Sequence, residues 1–207
     1  MHIEPGLIAH GKVLAATLPA AGLALWYLHK TLRQPLLLLR GLFAALLFTL
    51  FMQSFHLPVG PSELHFVGAM VIYLSVGLIP TLFGFAVGLL LQGLLFNPAD
   101  LYHIGINGLS LMLPLLLLHG LRHKLIGDAE RYQWRQIVTL DAVYYSGVTF
   151  MVGFWLALGE TATPFAAWLS FAASYLLIVA IEPLLTLAVM AATDRLTGNA
   201  ARLIARP

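Results

Sequence analysis

Long apolar runs follow one another along this chain, and only short polar segments separate them. A helix needs about 20 mostly apolar residues to cross the roughly 30 Å of hydrocarbon in a bilayer. By this measure the sequence predicts seven membrane-spanning helices. They cover approximately residues 7–28, 35–55, the two halves of 64–96, 104–121, 137–158 and 165–192.

The apolar run of residues 64–96 is predicted to form two helices instead of one. It is too long for a single crossing, and Gly77 and Pro80 interrupt it. Proline has no backbone N–H and favours the first turn of a helix, and glycine favours the end of one. The sequence therefore predicts two short helices joined by a tight turn near Gly77.

Composition supports a membrane as the solvent of the whole chain. Of 207 residues, 60% are hydrophobic and 10% are charged, with a mean hydropathy of +0.88, whereas a soluble domain has about 25% charged residues. We predict an all-α integral membrane protein in which residues 1–207 form a single domain surrounded by lipid. The absence of cysteine excludes thiolate ligands, and the net charge of +2 does not favour nucleic acid as a partner.

The distribution of basic residues predicts the orientation in the membrane. Lysine and arginine near helix ends stay on the cytoplasmic side. All of them except Lys12 lie in three places. Around the first connection are Lys30, Arg33 and Arg40; in the fifth are Arg122, Lys124, Arg131 and Arg135; and after the last helix are Arg195, Arg202 and Arg206. The alternate connections contain Glu63, Asp100 and Glu160 and no basic residue. This pattern predicts a multi-pass protein of the cytoplasmic membrane with its N-terminus outside and its C-terminus inside.

The first two residues form a potential metal chelate. A free amine on Met1, the amide nitrogen of His2 and the His2 imidazole can bind one cation in adjoining rings, and a planar set of nitrogens suits divalent nickel or copper. His65 opens the third segment on the same side and is a candidate fourth ligand. The other outer histidines His10, His56 and His103 are, taken singly, better explained as ordinary residues at the membrane interface.

Five short segments share their order with one known family. They are Met1-His2-Ile3 with Gly6, Leu57-Pro58-Val59 ahead of His65, Gln92-Gly93-Leu94-Leu95, Gly105-Ile106-Asn107 followed by Ser110-Leu111-Met112, and Glu182-Pro183-Leu184-Leu185-Thr186. Together they resemble the CbiM/NikM family, the cobalt- and nickel-binding membrane components of energy-coupling-factor transporters.

The resemblance implies a specific ligand set and a transport function. It implies a six-helix core with one extra N-terminal helix, and a divalent cobalt or nickel ion held by the Met1 amine, the amide and ring of His2, and a further histidine that His65 matches. The ion would be the substrate, with no organic cofactor and no enzymatic activity. A coupling transmembrane subunit and two ATPase subunits would complete the transporter, because this chain has no phosphate-binding loop of its own.

The chain also departs from the family pattern. Phe66-Val67-Gly68-Ala69 stands where the family has a run similar to Thr-Gly-Thr-Gly, and Tyr102-His103 replaces a pair of threonines. His103 is therefore a candidate hydrogen-bond partner of a metal-ligating side chain, or an added ligand, and Asn107 and Glu182 are further candidates for such a partner. Helix–helix hydrogen bonds explain Asn107 and Glu182 equally well.

Two other functions remain open at this point. The altered residues after His65 favour a metal-free accessory or assembly protein on the same scaffold. An intramembrane metalloenzyme would use the outer histidines to hold zinc, but no His-Glu-Xaa-Xaa-His sequence is present. Asp141 and Glu182 lie in predicted helices without a neighbouring nucleophile or base in the sequence, which argues against a catalytic carboxylate pair.

Overall fold

A computed structural model describes residues 7–60, 62–127 and 132–204 of the chain, with side chains described as far as Arg195. These residues form α-helices joined by short connections, together with one β-hairpin and one 3-10 helix. The α-helices are α1 His10–Leu32, α2 Pro35–Ser54, α3 Ala69–Val76, α4 Leu78–Leu95, α5 Ile104–Ile126, α6 Trp134–Ala157 and α7 Phe165–Ile204. The hairpin pairs β1 His56–Val59 with β2 Ser62–His65, and the 3-10 helix is Pro98–His103. The prediction of an all-α protein is confirmed.

Among the described residues, six helical segments are long and apolar enough to cross a membrane. They are α1, α2, α4, the 3-10 helix together with α5, α6, and residues Phe165–Arg195 of α7. The prediction of a multi-pass integral membrane protein is confirmed. The prediction that all seven crossings are complete helices is not confirmed, because α3 has only eight residues. At a rise of 1.5 Å per residue, this helix is only about 12 Å long.

The third predicted crossing is mostly non-helical in its first half. Instead of a helix from residue 64, the chain forms β2, continues without regular structure through Phe66 and Val67, and enters α3 only after Gly68. Gly68 has φ +63, a left-handed conformation that glycine adopts at little cost. An apolar run alone does not distinguish a helix from buried extended chain. Leu64 and Val67 are buried in protein, which is where a membrane protein tolerates irregular backbone.

The predicted break near Gly77 is confirmed. Gly77 has φ +88, and its N–H donates to the Tyr73 carbonyl to close α3. Pro80 follows in the first turn of α4. The N–H groups of a first turn have no partner within the helix, so a proline there costs no intrahelical hydrogen bond.

The carboxylate of Glu182 caps the N-terminus of α3. Its Oε1 accepts a hydrogen bond of 2.6 Å from the Met70 N–H, and its Oε2 accepts the hydroxyl of Tyr145. The first N–H groups of a helix have no intrahelical partner, and a negative charge is favourable there. Glu182 therefore fixes α3 between α6 and α7 in the interior of the bundle.

Several connections meet at one end of the bundle, here called the hairpin end, which contains the β-hairpin, the start of α1, the 3-10 helix and the α6–α7 connection. The His10 Nδ1 lies 3.0 Å from the Tyr102 hydroxyl, and the Lys12 Nζ donates to the Leu158 carbonyl at 2.7 Å. The side chain of Gln53 in α2 donates to that of Gln92 in α4 at 2.8 Å, so these two helices both end here. The three connections with acidic residues thus share one end, and the orientation of that end toward the outside stays a prediction.

Candidate metal centre

A polar cavity of about 210 Å³ opens at the hairpin end between the β-hairpin, α2, α4 and the 3-10 helix. Its lining residues are Met52 and Gln53 from α2, His56, Glu63 and His65 from the hairpin, and Gln92, Phe96, Asn97 and Asp100 from the opposite wall. Two imidazoles and two carboxyl groups therefore face one small space, and both kinds of group are ligands for divalent metals.

The hairpin register explains why these side chains converge. His56 lies directly opposite His65 in the antiparallel pair, and residues directly opposite one another project from the same face of the ribbon. The two imidazole rings are nearly parallel, with centroids 6.0 Å apart and an interplanar angle of 22°. Glu63 precedes His65 by two residues, and alternation along a strand places both on that face.

His65 is the most enclosed ionisable group of the cavity, with 4% of its surface exposed. Its Nε2 lies 3.4 Å from the Oε2 of Glu63. A carboxylate beside an imidazole helps to set the ring orientation and increases its basicity as a metal ligand. The strand geometry therefore holds this imidazole in a defined place at the wall of the cavity.

The opposite wall adds oxygen ligands and a second negative charge. The Nδ2 of Asn97 donates to Oδ1 of Asp100 at 3.1 Å, and the hydrogen bond from Gln53 to Gln92 joins α2 to α4 across the floor. The described lining contains no lysine or arginine. Two carboxyl groups in one small cavity make it attractive to cations.

The described residues do not complete a coordination sphere by themselves. Within them, no group of three or more histidine, aspartate or glutamate side chains is arranged to hold a metal ion. Of the predicted ligands, His65 lies in the cavity wall, whereas Met1 and His2 lie outside the described residues. The predicted ligand set of Met1, His2 and His65 stays a prediction.

The three residues predicted to support the metal ligands through hydrogen bonds lie elsewhere in the described structure. His103 is 1% exposed at the start of α5, where its ring packs against Tyr102 with centroids 5.0 Å apart. Asn107 is buried one turn further along α5, and Glu182 caps α3. None of the three is among the described residues that line the cavity, and their part in metal binding stays a prediction.

Sequence reasoning missed three residues of the cavity. His56 is better explained from the sequence as an interfacial residue, and Glu63 and Asp100 serve there only to indicate topology. A signal for His56 and Glu63 was present, since Pro58, Gly60 and Pro61 between two short segments are typical of a hairpin. No sequence pattern indicated that Asp100, on another element, faces the same space.

Comparison with known proteins agrees with a membrane protein of metal uptake. Residues 2–198 match the family described as CbiM, cobalt uptake substrate-specific transmembrane region. A crystal structure described as that of a transition metal transporter superposes with a TM-score of 0.72 at 15% sequence identity, covering 95% of this chain and 93% of that one. At this identity the likeness shows a shared fold. No curated protein matches the sequence.

Proposed function

The chain belongs to the CbiM family of cobalt uptake substrate-specific transmembrane regions, and we propose that it captures divalent cobalt or nickel at the hairpin end for import. The observation that supports this proposal is the cavity in which His56, Glu63, His65 and Asp100 converge. Nitrogen and oxygen ligands in an acidic, enclosed space are suited to a divalent cation.

The proposed ion is held by His65 together with the first two residues. The Met1 amine, the His2 amide and the His2 imidazole form adjoining chelate rings, and the His65 ring adds a fourth nitrogen. A planar set of four nitrogens favours nickel over magnesium or calcium, which prefer oxygen. His65 lies on a strand that is packed in place, so one ligand is positioned before the ion arrives.

The proposed transporter needs further subunits to move the ion. The chain has no phosphate-binding loop, so ATP hydrolysis is assigned to two separate ATPase subunits joined through a coupling transmembrane subunit. In this arrangement the hairpin end faces the outside of the cytoplasmic membrane and the C-terminus faces the cytoplasm, as the distribution of basic residues predicts.

Metal titration of the purified chain tests the function. Calorimetry at neutral pH is expected to show one nickel or cobalt ion bound per chain and no binding of magnesium. Binding should weaken as the pH falls below about 6, because protons compete with the cation for the amine and imidazole nitrogens. No affinity for nickel or cobalt would favour a metal-free accessory protein, and selective zinc binding with hydrolytic activity would favour a metalloenzyme.

The carboxylates of the cavity give a separate prediction. Glu63→Gln and Asp100→Asn are each expected to lower nickel affinity by about 10-fold, the smaller loss typical of groups around a metal ligand. Glu63 orients the His65 ring, and both carboxylates attract the cation. Glu160→Gln is the matched control, because Glu160 is exposed on the α6–α7 connection and does not line the cavity. Wild-type affinity in both cavity variants would show that the acidic wall has no role.

A further inference from the structure

Two carboxyl groups are buried together inside the helical bundle, away from the metal cavity. Asp141 in α6 and Glu182 in α7 are each 0% exposed, and Asp141 lies one turn of α6 before Tyr145, whose hydroxyl donates to Glu182. Both belong to helical segments that are long and apolar enough to cross a membrane. Neither is among the residues that line the metal cavity.

No lysine or arginine of the described residues is buried beside these carboxyl groups. Among the residues whose side chains the structure describes, no lysine or arginine is buried. Tyr144 and Tyr145, about one turn after Asp141 in α6, are buried as well, and the Tyr145 hydroxyl donates to Glu182. Two neighbouring negative charges in an apolar interior are strongly unfavourable without a cation, so the pair is not ionised twice.

Hydrogen bonding distinguishes the two carboxyl groups. Glu182 accepts hydrogen bonds from the Met70 N–H and the Tyr145 hydroxyl and lies at the N-terminus of α3, and all three features favour its charged form. In the described part of the chain, neither carboxyl oxygen of Asp141 has a hydrogen-bond partner. A buried carboxyl group without donors is stable only when it is neutral.

We propose that Asp141 and Glu182 are a proton-binding site in the interior of the membrane, in which one proton resides on Asp141 while Glu182 remains charged and caps α3. The ligand is a proton and not a metal ion, because Asp141 is fully buried and is not among the residues that line the metal cavity or two further, apolar cavities of the described structure. The site is separate from the proposed metal centre and does not depend on it.

The position of this site connects proton movement with the segment that contains His65. Uptake of a second proton by Glu182 forms an O–H bond at its carboxyl group and removes its negative charge, while Asp141 stays neutral. The Met70 N–H then loses its charged acceptor, and charge-assisted hydrogen bonds are about twice as strong as neutral ones. Since α3 begins four residues after His65, protonation of Glu182 loosens the anchor of the strand that forms the cavity wall.

Infrared spectroscopy of the full chain in lipid tests the proposal without any substitution. The wild-type protein at neutral pH is expected to show the carbonyl stretch of a buried protonated carboxylic acid. Carbon-13 in the side-chain carboxyl groups of aspartate should shift this band, and the same label in glutamate should leave it in place. No such band, or a band that shifts with labelled glutamate alone, would overturn the proposal.

Two variants test the assignment to individual residues. Asp141→Asn is expected to abolish the band, whereas Glu182→Gln should keep it at a shifted frequency, because the neighbouring charge is lost while Asp141 stays buried. Glu160→Gln, which changes an exposed carboxylate, should leave the band unchanged. A band that persists unaltered in folded Asp141→Asn would contradict the proposal, and the isotope result remains decisive if that variant does not fold.

Discussion

Addition of three residues before Met1 is expected to lower the affinity for nickel and cobalt by more than about 100-fold. The extension converts the free amine into an ordinary amide and removes one ligand and one chelate ring, a loss larger than the 10- to 100-fold typical of groups outside the coordination sphere. Calorimetric titration of the purified protein measures the effect. The matched control adds the same three residues after Pro207.

The comparison of the two extended proteins isolates the role of the amine. Both have the same added length and composition, so general effects on expression or solubility are shared. The protein with the C-terminal extension should bind metal as the unmodified chain does. Equal affinity in the two extended proteins would show that the amine is not a ligand.

Replacement of His65 by alanine is the substitution with the largest expected effect, a loss of more than about 100-fold in nickel affinity. His65 is the one predicted ligand that the structure places in the acidic cavity, where it lies 3.4 Å from Glu63 and opposite His56. His10→Ala is the matched control, because His10 lies at the same end of the bundle, is exposed and does not line the cavity.

A structural role of His65 must be distinguished from a role in binding. The ring is buried, so the thermal unfolding of each variant should be measured without metal, and His65→Gln provides a second variant that keeps a polar side chain of moderate size. Both variants are expected to unfold close to the wild-type temperature while binding is lost. Full nickel affinity in folded His65→Ala would exclude this imidazole as a ligand.

The helical part of the fold was predictable because membrane-spanning helices are specified by local composition. Runs of about 20 apolar residues gave six segments that the structure shows as long helices, and glycine and proline marked the break at Gly77. The first part of the crossing between residues 64 and 76, before Ala69, was predicted wrongly as a helix. Its short strand and its delayed start at Ala69 depend on pairing with β1 and on the cap from Glu182, which are tertiary contacts that periodicity does not contain.

The candidate site was predictable only in part. His65 emerged from its resemblance to the family pattern, whereas His56 and Glu63 required the register of the hairpin. Asp100 could be assigned to the site only once the 3-10 helix was known to lie across the cavity from the hairpin. Glu182 was correctly singled out as a polar residue in an apolar helix, but its partners Met70 and Tyr145 lie far away in sequence.

The most direct test is a crystal structure of the unmodified chain grown with nickel, in which anomalous scattering locates the ion. The account predicts a single ion in the cavity between the hairpin, α2, α4 and the 3-10 helix, bonded to a ring nitrogen of His65 and to nitrogens of Met1 and His2. An ion bound elsewhere, or one in this cavity without a bond to His65, would contradict it.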